Sequence, residues 1–144
     1  MGDTAPQKME PAMPPRRRAS AIVERPEGVL LVLMRHLGAM LPGGGIKPFE
    51  SDAAAAAREL LEETGLVAER MVFLFERQSL GQSNAVFWVY ASGVPRACNE
   101  IDQIAYYPPR EPLRLAPETQ SILHQFAELR AREPARFAEG DTAT

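Results

Sequence analysis

Cysteine is nearly absent: the 144 residues hold one, Cys98. No internal disulfide can form, and a reducing compartment suits such a chain. No motif surrounds Cys98, so it is not read as catalytic. Long apolar runs are missing too, since nothing approaches the roughly 18 residues of a membrane span. Glu24, Arg25 and Glu27 interrupt the segment after Arg18, which excludes the apolar core of a signal peptide. There is no excess of positive charge, the formal net charge being -3, so the overall balance shows no DNA-binding footprint. The only basic cluster, Arg16-Arg17-Arg18, follows a proline-rich start and reads as a solvated lead-in. No internal repeat is present. These absences leave a soluble cytoplasmic protein with no membrane contact as the expectation.

What is present is enough for one core. Hydrophobic residues make up 45% of the chain, which suits a single compact domain. Residues 1–18 are weakly apolar and are expected to be a disordered lead, 19–133 a folded domain, and 134–144 a flexible tail. "ASAIVE" and "VLLVLMR" read as strands joined by the turn "RPEG", and the second is apolar without alternation, as in a strand covered on both faces. "MVFLFER" and "AVFWVYA" are further strands linked by the polar turn "QSLGQSN", and "IAYY" is a short last one. An alanine-rich helix is bounded by Ser51 or Asp52 as N-cap and Gly65 as stop. Pro117 opens a second helix with Ile122, Leu123, Phe126 and Leu129 on one stripe. Strands before, between and after two helices predict an α/β chain with a mixed sheet between helices.

The first helix carries Glu59, Glu62 and Glu63 within one turn, where like charges repel by a few tenths of a kcal/mol. At about 100° per residue they cover one side, with Ala57, Leu60, Leu61 and Thr64 opposite. The expected helix therefore buries an Ala/Leu face and turns its carboxylates outward. Arg58 can neutralise one of them, as an i,i+4 partner of Glu62. A hard divalent cation with oxygen ligands would answer the remaining charge, and Mg²⁺ is commonly shared between carboxylates and substrate phosphates.

From Gly44 the chain reads G-x5-E-x7-R-E-U-x-E-E-x-G-U, with U aliphatic: Gly44, Glu50, Arg58, Glu59, Leu60, Glu62, Glu63, Gly65 and Leu66. This resembles the Nudix box of the Nudix hydrolases, with every defined position filled. The resemblance implies an α/β/α sandwich and hydrolysis of a nucleoside diphosphate linked to another moiety, by water attack at phosphorus. The substrate would be a nucleoside triphosphate, a dinucleoside polyphosphate or a nucleotide sugar, and Mg²⁺ the cofactor, with Mn²⁺ as a substitute. By the same resemblance Glu59, Glu62 and Glu63 are metal ligands, Glu59 is a candidate base, and the Gly44 carbonyl joins the shell. Glu50 and Arg58 would brace the loop against the helix. Family dimers are common, so a homodimer is compatible. The competing reading is a catalytically silent Nudix-like module that binds or senses a nucleotide.

Phe49 departs from the family, which commonly has glycine before the first box glutamate. A phenylalanine resists positive φ, so the loop is expected to take another path or to turn Phe49 into the site. "NEIDQIAYYP" resembles the segment that supplies a further acid in relatives acting on dinucleoside polyphosphates or RNA 5′ ends, which makes Glu100 a metal ligand or base. The proline about 16 residues past the box that marks many ADP-ribose hydrolases is absent, with Gly81 and Gln82 there instead. Arg35 and Arg77 are candidates to hold phosphate, and Tyr106 and Tyr107 to stack on a base. Trp88 reads as core and His36 as a bystander.

Overall fold

The elements follow from where both faces of a strand, or one side of a helix, find cover. The computed structural model describes residues 16–137. Strand β1 (Arg16–Ile22) runs parallel to β7 (Gln82–Ser92), with Ser20 opposite Val86 and Ile22 opposite Trp88. β5 (Gly43–Gly45) pairs antiparallel on the other side of β1, and β6 (Val67–Ser79) pairs antiparallel with β7. This mixed four-stranded sheet has the order β5-β1-β7-β6. A second, antiparallel sheet is built around β3 (Gly28–Met34), flanked by β2 (Glu24–Arg25) and β4 (Gly38–Met40) on one side and β8 (Gln103–Tyr107) on the other.

Helix α1 (Asp52–Thr64) covers one face of the mixed sheet, and α2 (Pro117–Arg132) packs on the other. Alternation within strands sends Ala85, Phe87 and Val89 to the α1 side and Val86 and Trp88 to the α2 side, so the central strands are apolar throughout. The α2 stripe of Ile122, Leu123, Phe126 and Leu129 is buried as expected. Ser51 is the N-cap of α1, accepting from the Ala54 N–H at 3.0 Å, and Gly65 ends it at φ 79°. No described helix is long and apolar enough to cross a membrane.

Three expectations are refined. The basic cluster is not a lead-in: Arg16, Arg17 and Arg18 are the start of β1. The stretch "QSLGQSN" is mostly strand, because β6 and β7 extend to a turn of only Leu80 and Gly81, the latter at φ 65°, a left-handed value that glycine adopts without strain. After Pro134 a helical turn returns Phe137 to the core at 6% exposure. Its ring meets Trp88 edge-on at 4.9 Å and lies under the Arg130 guanidinium, which is itself held by Glu24. Residues 1–15 and 138–144 lie outside the described residues, and with them most of the expected lead and tail.

Candidate active site

The site begins with a turn and a fork. Lys47-Pro48-Phe49-Glu50 closes through the Glu50 N–H donating to the Lys47 carbonyl at 3.0 Å. Proline second and a positive φ third are the marks of a type II turn. Phe49 occupies that third position at φ 67° and is fully exposed. The glycine path is therefore kept by a residue that dislikes it, and neither expected alternative holds: Phe49 does not reroute the loop, and it does not line the cleft. Arg58 supplies the restraint. Its Nε and Nη2 donate to the two Glu50 oxygens at 2.8 and 2.9 Å, and Nη2 also donates to the Gly45 carbonyl at 3.0 Å. Bidentate pairing of this kind is the strong form of an ion pair. The Arg58 hydrogen bonds hold the Glu50 carboxyl down at about 2, helped by the Lys47 N–H, and Glu50 in turn raises the guanidinium.

The carboxylates of α1 do not share one outward face. The buried positions are Ala55, Ala56, Leu60 and Thr64, while Leu61 is 51% exposed. The helix is thus rolled about its axis relative to the expected Ala57–Leu61 face, because β1 and β5 cross it on the Glu59–Glu63 side. Glu62 points to solvent and is reached by Arg58 at 3.5 Å, whereas the Glu59 side chain is only 16% exposed. Glu59 accepts from Arg58 Nη1 at 3.0 Å, and its carboxylate lies where a Cβ on Gly44 would be. No residue but glycine leaves that space. Glu63, one turn on, accepts from the Gly43 N–H at 3.2 Å. Burial pushes the Glu63 carboxyl up to about 8, and the neighbouring Glu59 adds to the rise against the pull of the Gly43 N–H.

Gly43, Gly44, Glu59 and Glu63 form one end of a cleft of about 430 Å³. Glu100 lines the same cleft, brought there by a loop fastened to the end of α1. The Arg96 and Cys98 N–H groups donate to the Thr64 and Glu63 carbonyls, and Asn99 Nδ2 donates to the Glu62 carbonyl at 2.7 Å. These bonds satisfy carbonyls that a helix end leaves open.

The same geometry decides the family. A model of the NUDIX domain matches residues 14–131. This chain belongs to the Nudix hydrolase family. A Chromobacterium violaceum protein described as a nudix hydrolase family member is 34% identical, with a TM-score of 0.79 over 90% of this chain and 92% of that one. The E. coli ORF135 protein is 29% identical, with a TM-score of 0.64 over 85% and 96%. A Francisella tularensis bifunctional NMN adenylyltransferase/ADP ribose pyrophosphatase, complexed with AMP and a manganese ion, shares the fold at 16% identity, with a TM-score of 0.59 over 86% and 44%. No curated protein matches.

As a Nudix hydrolase, the chain has a fold in which Gly44, Glu59, Glu63 and Glu100 line one cleft and Glu62 stays outside it, but the expected substrate contacts lie elsewhere. Arg35 lines a separate hollow, its N–H donating to Asp102 at 2.7 Å. Arg77 is paired with Glu118 at 3.1 Å and with Gln125, on the groove between β6 and α2. Trp88 is core, donating to Glu24 at 3.1 Å. Tyr106 and Tyr107 sit on β8 away from the cleft, whose walls are mixed: aliphatic side chains such as Met34, Leu41 and Ile122 alternate with polar ones that include Gln82, Glu118 and Thr119.

The cation facing the cleft is Arg18. Sequence reading missed it by treating the arginine run as a tail. Alternation from Ala19, an α1-side position, would have turned it toward the cleft had β1 been started at Arg16. Ser20 and Asn84, polar residues at the heads of otherwise apolar strands, were missed as well. Among the described residues, no three His, Cys, Asp or Glu side chains already converge as a metal cluster. The oxygen donors nevertheless fit a hard cation: the cost of placing Glu63 beside Glu59 in a buried position is of the kind that a bound cation removes.

Proposed function

We propose that this Nudix hydrolase cleaves a pyrophosphate bond in a nucleoside triphosphate, dinucleoside polyphosphate or nucleotide sugar with the help of Mg²⁺, Mn²⁺ serving as a substitute. One observation carries the reading: Glu59 and Glu63 stand one turn apart, partly buried beneath Gly43 and Gly44, at the end of a cleft that also receives Glu100 and Arg18. Glu59, Glu62, Glu63, Glu100 and the Gly44 carbonyl are assigned as the oxygen donors for the metal. Once bound, the metal would neutralise phosphate charge and acidify a water. Glu59 or Glu100 takes the proton from the attacking water. Glu50 and Arg58 hold the glycine strand against the helix, and Arg18 offers its charge to the phosphates as they enter. The single cysteine agrees with a cytoplasmic setting.

The test is a panel of nucleoside triphosphates, dinucleoside polyphosphates and nucleotide sugars, assayed with Mg²⁺ and with Mn²⁺ and with products identified. The expected result is metal-dependent release of a nucleotide together with phosphate or pyrophosphate from a triphosphate, a second nucleotide from a dinucleoside polyphosphate, or a sugar phosphate from a nucleotide sugar. Nucleotide binding without cleavage of any member would replace the enzyme with a sensing module.

A further inference from the structure

Ser20 and Asn84 are the most deeply buried polar side chains of the cleft, each 2% exposed. They stand on the parallel neighbours β1 and β7, and the Ser20 hydroxyl donates to Asn84 Oδ1 at 2.9 Å. Further along the same strands, Ile22, Val86 and Trp88 are core. Gly43 lies opposite Ser20, and a Cβ there would meet the Ala19 carbonyl first and the Ser20 hydroxyl at 2.9 Å, so only glycine fits beside the pair.

A buried amide is costly unless its groups are used. Asn84 has one oxygen and two N–H donors. Serine takes the oxygen. The amide nitrogen has no partner among the described residues, yet none of their buried side-chain polar atoms is unsatisfied. The nitrogen is therefore in reach of the cleft contents, and Met34, Met40, Leu41 and Ile122 line the same cleft as apolar surface for a flat ring.

We infer that the Ser20–Asn84 pair reads the base of the nucleotide, selecting a ring edge that presents a carbonyl oxygen over one that presents an amino group. The inference rests on the nucleotide-hydrolase reading above. An amide with both ends free can serve either edge, accepting from an amino group while donating to a ring nitrogen, as asparagine does with adenine. The Ser20 hydrogen bond fixes the amide's orientation, so that the Asn84 nitrogen is the amide atom without a partner and a group placed against it meets a donor. An exocyclic amino group placed there sets donor against donor and leaves both unpaired in a buried position. The discrimination expected from one such mismatch is roughly 10- to 100-fold.

The test measures kcat/KM of the full chain on guanine, uracil and adenine nucleotides, as triphosphates and as dinucleoside tetraphosphates. Wild type, Ser20→Ala and Asn84→Ala are compared, each with a melting curve. Wild type should prefer guanine and uracil over adenine by roughly tenfold or more. Ser20→Ala frees the amide to turn and should bring adenine within about threefold, mainly through KM; Asn84→Ala should level the three bases. A purely structural pair would lower the melting temperature of both variants without re-ranking the bases, and that result overturns the inference. So does equal or better turnover of adenine by wild type, a measurement that needs no variant. If wild type hydrolyses nothing, the hydrolase proposal fails separately, and calorimetric binding of GMP, UMP and AMP decides the base preference: weaker AMP binding supports it, equal or tighter AMP binding overturns it.

Discussion

Helix α1 carries two groups of charge that are settled in opposite ways. Around Arg58, guanidinium nitrogens meet Glu50 at 2.8 and 2.9 Å and Glu59 at 3.0 Å, and a backbone carbonyl completes the fork. One turn further, Glu63 accepts from the Gly43 N–H at 3.2 Å and feels the attraction of Arg18, but burial and the neighbouring Glu59 push its carboxyl up to about 8. The first group is finished by the protein itself and shapes the loop. The second is neutralised only by a proton or by something that binds. Charges that complete one another build structure, and a buried charge left short of partners marks where a ligand belongs.

The comparison breaks first at the carboxylates. Both Glu59→Gln and Glu63→Gln keep volume and helix propensity; the melting temperature of Glu63→Gln should hold or rise slightly as crowding of the carboxylates is relieved, and that of Glu59→Gln should fall slightly because the Arg58 ion pair at 3.0 Å is weakened. Turnover should fall at least about 10²-fold, the scale of a lost general base. Phosphate-release kinetics paired with melting curves check both, and a well-folded variant at wild-type turnover would remove that residue from the site. Calorimetric titration with Mg²⁺ should show weakened binding in the same variants.

Arg58→Met tests the other group. It should lower the melting temperature as well as turnover, because Glu50 and Glu59 lose their partner and the glycine strand loses its anchor. A loss of roughly 10- to 100-fold is expected from misplacement alone. Loss of turnover without any fall in melting temperature would show that Arg58 acts on the substrate rather than on the loop.

The acid limb of stability is a gentler probe. Glu50 is held at about 2 in the folded chain against an ordinary value of 4.5. Its contribution is therefore fully present above about pH 4.5 and is lost as pH falls through that range toward about 2. Glu50→Gln should be less stable at neutral pH and show a flatter decline between those limits in melting curves recorded across pH. The smallest effect belongs to Phe49. Phe49→Gly should stabilise the fold by about 1 kcal/mol in denaturant titration, because a left-handed non-glycine residue is relieved and the exposed ring gives up little packing. Turnover should stay at the wild-type level.

Much of this was legible because it is local. The spacing of the box and its flanks places Glu59 and Glu63 one turn apart, Ser51 or Asp52 and Gly65 as caps, and Arg58 within reach of Glu50. Those relations close over a few residues, and helix geometry dictates them. The roll of α1 was not legible. Ala56 and Leu61 both suit burial, and β1 and β5 decide between them by crossing the helix on the Glu59–Glu63 side. The left-handed Phe49 was unreadable for a similar reason: its own propensity opposes it, and the Arg58–Glu50 fork, eight residues long in sequence, overrides that preference.

The sequence by itself thus determined which chemistry is present: the longer strands and both helices in order, the helix ends and the family of the box, all set by periodicity and short-range hydrogen bonding, while β4 and β5 lie in a stretch that reads as loop. Only the tertiary structure decided which charges meet. Arg18 faces the cleft because β1 pairs with both β5 and β7. Arg77 is drawn away by Glu118 on α2, and Asn84 is joined to Ser20 across 64 positions of chain. The physical reason is that a side chain's partner depends on what packs across from it, and strand pairing brings together residues that no local spacing relates.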